Sequence, residues 1–241
     1  MARRMRLERP LQWPGGPFVK VCGLTREADA VLAADLGAWA LGFIFAPSPR
    51  QVSQEHALAL ARALRTARPP YTLPLLVGVF ADPPPEEVAR IVCEVGLDAV
   101  QLHGEETPYQ VSRICQAAEE ALIIKAVSVE HGTTAVAGIT ARVRAVAPTV
   151  DVVLFDSKVR DRVGGTGVCF KWELARPATG MLPVLVAGGI HAGNVADALE
   201  TSGAWGVDVC SGVEAAPGIK DEGRLRELFA EVRRYKEKGH S

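Results

Sequence analysis

Two side chains in this chain have the type and setting to move protons: Cys22 in KVCGLT and Asp156 at the end of VVLFD. A buried cysteine is most often a small inert hydrophobe. Cys22, however, stands just before Gly23 and a helix start at Thr25, and a thiol near a helix N-terminus has its pKa drawn from about 8.5 towards neutrality. Such a thiol would serve as a base. Asp156 follows Val152, Val153, Leu154 and Phe155. A carboxyl group among apolar walls keeps its proton longer and can act as an acid. The competing reading pairs it with Lys158 or Arg160, which would keep it charged.

Other residues suit the grip on an anionic substrate. Arg50 comes after Pro47-Ser48-Pro49, and a guanidinium on so stiff a loop can hold a carboxylate with two hydrogen bonds; a solvated surface arginine is the alternative. Gln101 and His103 end one apolar run and Asp208 lies in another; His103 either donates to a ligand or satisfies a loop carbonyl. Lys20, two residues before Cys22 and hence on its face, and Lys125 raise the possibility of a Schiff-base nucleophile. Lys20 reads better as a positive charge that steadies a Cys22 thiolate. No pair of histidines has metal-ligand spacing, so no metal is assigned.

Three glycine-rich turns come in succession: GGTG (Gly164–Gly167), AGG (Ala187–Gly189) and SGVEAAPG (Ser211–Gly218). Glycine lets backbone N–H groups close on an anion with no Cβ in the way, and a helical turn near Ser211 would add its positive end. Gly165, Gly167, Gly188, Gly189, Ser211 and Gly212 are therefore the candidates for a phosphate cradle. Tight-turn geometry alone would not require three such loops in one place.

These positions acquire meaning from the elements that carry them. Eight short apolar runs recur along the chain: Phe18–Cys22, Trp39–Phe45, Leu75–Phe80, Asp98–His103, Leu122–Val127, Asp151–Asp156, Pro183–Gly188 and Trp205–Cys210. Most are continuous rather than alternating, which suits strands covered on both faces. Helical patterns separate them, among them a run after Thr25 closed by Gly37, one opened by Ser53, and Val88–Val95 between prolines and Gly96. Asn194 and Asp221 head two more. Eight such units in one chain fit a closed parallel barrel, whose chemistry sits at the C-terminal strand ends. A doubly wound sheet would have fewer strands and want a GxGxxG turn. The expectation is a single-domain (β/α)8 TIM barrel over residues 18–241.

Composition narrows the class. The chain has 241 residues, of which 48% are hydrophobic, and its 27 Lys plus Arg against 28 Asp plus Glu leave a net charge of −1. That balance gives no electrostatic footprint for nucleic acid or a membrane surface, and no apolar run approaches the ~20 residues of a spanning helix. Five cysteines, an odd number with no CxxC, point to a reducing cytoplasm rather than a disulfide framework. Cys93 and Cys115 are expected in the core, Cys169 at the start of the sixth helix, and Cys210 as the one rival to Cys22. Residues 1–17, Arg-rich and then Pro/Gly-rich without an apolar h-region, are expected to be a flexible extension and not a secretory signal.

Taken together, KVCGLT, GFIFAPSPR, VGVF, VQLHG, FDSK, GGTG, AGGI and GVDVCSGVE resemble the phosphoribosylanthranilate isomerase family, in order at seven of the eight strand ends. The resemblance implies an Amadori rearrangement in tryptophan biosynthesis without metal or organic cofactor, carried out on a small-molecule substrate by a monomer or homodimer. It implies Cys22 as general base, Asp156 as general acid and Arg50 on the anthranilate carboxylate. It also implies the glycine loops on the phosphate and Asp208 on the substrate side. The chain departs from the family pattern at Cys210, where serine is usual, and at Ser157 and Ala46. The histidine-pathway aminosugar-phosphate isomerase uses two aspartates, which Cys22 argues against. A non-catalytic phosphate-binding barrel would need neither Cys22 nor Asp156. Indole-glycerol-phosphate synthase would want a lysine at a strand end.

Overall fold

The computed structural model describes residues 16–130, 134–158 and 171–239. Eight parallel strands close on themselves: β1 (Phe18–Val21), β2 (Ala40–Ile44), β3 (Leu75–Phe80), β4 (Ala99–Leu102), β5 (Leu122–Glu130), β6 (Val152–Lys158), β7 (Val184–Val186) and β8 (Gly206–Val209). Each coincides with one of the eight apolar runs, and the expected (β/α)8 barrel is the observed architecture. Closure comes from β1 pairing with β8 in the register Lys20↔Asp208 and Val21↔Val209, which leaves no strand edge open.

Continuous apolar runs are required because every strand buries both faces. Leu122, Ile124 and Ala126 of β5 with Val152 and Leu154 of β6 fill the barrel, while Ile123, Val127, Val153 and Phe155 pack outward beneath the helices. Phe18, Trp39 and Trp205 plug the N-terminal mouth, with ring centroids 4.2 Å apart for Phe18–Trp205 and 5.3 Å for Trp39–Trp205. The apolar strand starts thus seal one end and leave the polar strand ends to line the other.

Local signals place the helices. Ser53 caps the helix Gln54–Ala67 by accepting from the His56 N–H, and Asp221 caps Glu222–Glu237 by accepting from Arg224. Thr107 and Gln110 form a reciprocal capping box on Pro108–Ala117. Thr25 does not cap its helix, which begins only at Glu27; its hydroxyl donates to Gly218 O at 2.6 Å and ties the β1 loop to the β8 loop. Cys93 is exposed, contrary to expectation, because it stands on the outward face of Pro85–Val95, whereas Cys115 is buried. The described part of the β6–β7 crossover is a 3-10 helix, Trp172–Ala178, with Pro177 inside it; an internal proline removes a helix hydrogen bond. Cys169, the GGTG turn and residues 1–15 of the expected extension lie outside the described residues. Among those described, no helix is long and apolar enough to cross a membrane.

Two buried lysines resolve differently. Lys125 faces the layer between barrel and helices, where it donates to Glu106 Oε2 at 2.7 Å and Gly104 O at 2.8 Å. It is a strut beneath a loop. Lys20 points into the barrel and donates to Asp208 Oδ1 at 2.8 Å across the closing seam. Removing one partner of a buried pair strands the other charge, so Lys20→Met should lower stability by about 3–5 kcal/mol. Lys20→Met with Asp208→Leu should recover most of that loss in urea denaturation. Equal midpoints for wild type and the single variant would show that the pair does not hold the seam.

Candidate active site

The open end of the barrel encloses a cavity of about 390 Å³, within the range of small-ligand sites. Cys22, Arg50, Gln101, His103, Asp156, Gly188, Gly189, Asp208, Ser211 and Gly212 all line it. Every candidate that falls among the described residues is thus brought to one place; Gly165 and Gly167 fall outside them.

Cys22 extends β1 by one residue and its amide donates to Val209 O at 2.8 Å. Its side chain is buried, and burial pushes the thiol above its ordinary value; the adjacent Lys20 ammonium pulls it down, while Asp208 pushes it up. This corrects the expectation of a thiol drawn towards neutrality by a helix terminus. The helix starts too far along the chain, and the barrel interior decides instead. Burial likewise pulls down on Lys20, but Asp208 and the Cys22 sulfur outweigh it and hold the ammonium above its ordinary value. Asp208 thus lines the cavity while its Oδ1 is held by Lys20. Cys210 also reaches the cavity, where burial pushes its thiol up to about 12.

Asp156 sits in a polar string and not among apolar walls. Its Oδ1 accepts from the Ser157 N–H at 2.8 Å, and its Oδ2 lies 3.2 Å from His103 Nε2. The other ring nitrogen, Nδ1, lies 2.8 Å from Gln101 Nε2. With the Gln101 amide donating, Nδ1 accepts, and the ring proton belongs on Nε2, facing Asp156. Both His103 ring nitrogens are therefore engaged by side chains, and neither serves a loop carbonyl. The Lys158 side chain and Arg160 lie outside the described set.

Arg50 is neither loose nor solvated. Its Nε donates to Glu214 Oε1 at 2.8 Å and its Nη2 to Oε2 at 2.6 Å. These bonds hold the guanidinium above its ordinary value. Burial pushes Glu214 up, but Arg50 and Lys220 together hold its carboxyl below the ordinary value.

The β7 and β8 loops form a backbone cradle. Gly188 and Gly189 have φ of 84° and 70°, a region that side chains avoid. A Cβ on Gly188 would stand 2.3 Å from Ser157 Oγ, and one on Gly212 2.0 Å from Ile190 O. Space as well as backbone conformation demands glycine here. The 3-10 helix Ser211–Val213 supplies the expected helical turn. Asn194 does not cap its helix; it clamps the β7 loop, accepting from the His191 N–H at 2.8 Å and donating to Gly189 O at 3.0 Å.

Glu214 and Lys220 are the residues that sequence reasoning passed over. Both are charged yet buried, which is rare without a partner. A lone glutamate within the SGVEAAPG turn, followed by a lysine before the last helix, was the available signal.

The family model for "N-(5'phosphoribosyl)anthranilate (PRA) isomerase" matches residues 19–231. The isomerase of that name from Syntrophus aciditrophicus is 41% identical over 218 residues, covering 90% of this chain and 87% of that one. The crystal structure of phosphoribosyl anthranilate isomerase from Thermus thermophilus is 36% identical, with a TM-score of 0.74 over 90% of this chain and 99% of that one. A second solved isomerase, in complex with reduced 1-(o-carboxyphenylamino)-1-deoxyribulose 5-phosphate, is 31% identical; it has the same TM-score of 0.74 and the same 90% and 99% coverage. With so long a match in sequence and fold, the chain belongs to the N-(5'-phosphoribosyl)anthranilate isomerase family.

Proposed function

We propose that this chain isomerises N-(5'-phosphoribosyl)anthranilate to 1-(2-carboxyphenylamino)-1-deoxyribulose 5-phosphate, the Amadori step of tryptophan biosynthesis, with Asp156 as general acid and Cys22 as general base. The observation that carries this reading is one cavity lined from β1 by Cys22 and from the β6 wall by Asp156, with the glycine loops of β7 and β8 beside them.

The substrate has two anionic ends and a ring between them. Its phosphate suits the amides of Gly188, Gly189, Ser211 and Gly212, none of which has an acceptor among the described residues. Its carboxylate suits the guanidinium of Arg50. Between these anchors Asp156 gives its proton to the ribose ring oxygen as the C1'–O bond breaks, and the lone pair of the anthranilate amino nitrogen forms the C1'=N iminium. The Cys22 thiolate then takes the C2' proton, and the electron pair of that bond relaxes towards the iminium. The resulting enolamine regains a proton at C1' and loses one from its C2' hydroxyl to give the ketone. Proton count is unchanged overall.

Two neighbours fit these roles. His103 donates towards Asp156 Oδ2, which orients the carboxyl group that delivers the proton. Lys20 beside the Cys22 sulfur favours the thiolate against the burial that opposes it. The relative solved with the reduced product analogue supports an aminodeoxyribulose phosphate as the ligand class of the family.

Positioned acid and base groups are each worth about 10²–10⁴ in rate. Cys22→Ser and Asp156→Asn should therefore each lower kcat by at least about 100-fold, with KM changed far less. Turnover is read from the loss of anthranilate-ring fluorescence, with the histidine-pathway aminosugar phosphate run alongside. Near-native kcat in both variants would overturn the acid–base assignment. Preferred turnover of the histidine-pathway compound by wild type would overturn the substrate.

A further inference from the structure

The Arg50 guanidinium presents two edges, and only one is used. Glu214 takes the side edge, through Nε at 2.8 Å and Nη2 at 2.6 Å. The end edge is made by Nη1 and the second Nη2 hydrogen. Nη1 has no acceptor among the described residues, and Arg50 lines the cavity. A planar fork can hold one carboxylate on each edge at once.

Glu214 is itself fixed from behind. Lys220 and the Gly218 N–H both donate to its Oε1, at 2.9 Å and 3.2 Å. The Lys220 ammonium also donates to Cys210 O at 3.2 Å. The side chains of Lys220 and Glu214 are 0% and 4% exposed, while that of Arg50 is 19% exposed. A deep, held anion thus orients a shallower cation whose free edge faces the cavity. Charge points the same way. Two cations share one carboxylate, so the cluster is short of one negative charge, and a ligand carboxylate on the free edge would supply it.

We infer that Glu214, braced by Lys220, is a positioning residue that fixes the Arg50 fork side-on and leaves its end edge as a socket for the substrate carboxylate. This deepens the proposed function and rests on it. Without Glu214 the guanidinium would keep its charge but lose its direction, and the cost would fall on carboxylated ligands alone.

The test uses two ligands: reduced 1-(o-carboxyphenylamino)-1-deoxyribulose 5-phosphate and the same compound without its ring carboxylate, titrated by calorimetry into wild type and Glu214→Gln. The variant should bind the carboxylated ligand about 10- to 100-fold more weakly, the worth of a charge-assisted bond, and the other within about 2-fold. The loss should appear in KM for the substrate more than in kcat. Parallel losses for both ligands would show a merely structural role, and unchanged binding of both would show none; either overturns the inference. If Glu214→Gln alone does not fold, Glu214→Gln with Lys220→Met removes the buried charges together and must show the same selective loss. A wild type that neither turns over the substrate nor binds the carboxylated ligand would instead sink the proposed function itself.

Discussion

Where the last strand meets the first, the barrel closes around an ion pair. Lys20 and Asp208 are register partners on β1 and β8, linked at 2.8 Å. Buried charge is tolerated only when paired, so each residue fixes the other and the two strands that carry them. The thiol of Cys22 stands directly beyond this pair, and burial together with the pair sets its ionisation. Desolvation opposes the thiolate, the ammonium favours it, and the carboxylate of Asp208 opposes it again. One interaction therefore serves the closure of the fold and bears on the charge of the thiol at its mouth.

A second polar cluster repeats this design at the rim. Arg50 on the β2 loop, Glu214 after β8 and Lys220 before the last helix bind one another across loops that the Thr25–Gly218 bond also joins. The string from Gln101 through His103 to Asp156 does the same for the opposite group. In each case the residue that faces the cavity is aimed by a hydrogen-bonded partner from another element. The three clusters come from different strands, and the barrel register brings them to one mouth.

The fold was legible because barrel strands bury both faces. Their continuous apolar runs stand out against helices marked by Ser53, Thr107 and Asp221, and the polar residues that interrupt the runs mark the open end. The positions of Cys22, Arg50, Asp156 and the β7 and β8 glycines followed from this. Their surroundings did not. A local helix end is the visible influence on the Cys22 thiol in the sequence, yet burial in the barrel and the Lys20–Asp208 pair at its seam, which exist only when the barrel closes, govern it. The apolar strand before Asp156 suggests apolar walls, but Val153 and Phe155 alternate away from it, Val152 and Leu154 lie deeper in the barrel, and its polar neighbour is His103 from the end of β4. In the sequence Glu214 is one acidic residue in a glycine loop. Its role depends on two cations brought to it by other loops, and no local pattern encodes that meeting.

In the proposed mechanism Cys22 and Asp156 share the one proton on which turnover depends. The reactive form, thiolate with carboxylic acid, holds as many protons as thiol with carboxylate. Activity on kcat/KM therefore persists while that proton is held and falls as rising pH removes it from the thiol, the weaker acid of such a pair. Because burial raises Cys22, the fall belongs above the ordinary thiol value of about 8.5. The decisive measurement is the rate of iodoacetamide alkylation at Cys22, mapped by peptide mass spectrometry across a pH series, beside kcat/KM on the same preparation. The account predicts that alkylation rises and kcat/KM falls with one shared midpoint. Alkylation that rises through a pH range in which kcat/KM stays level would contradict it.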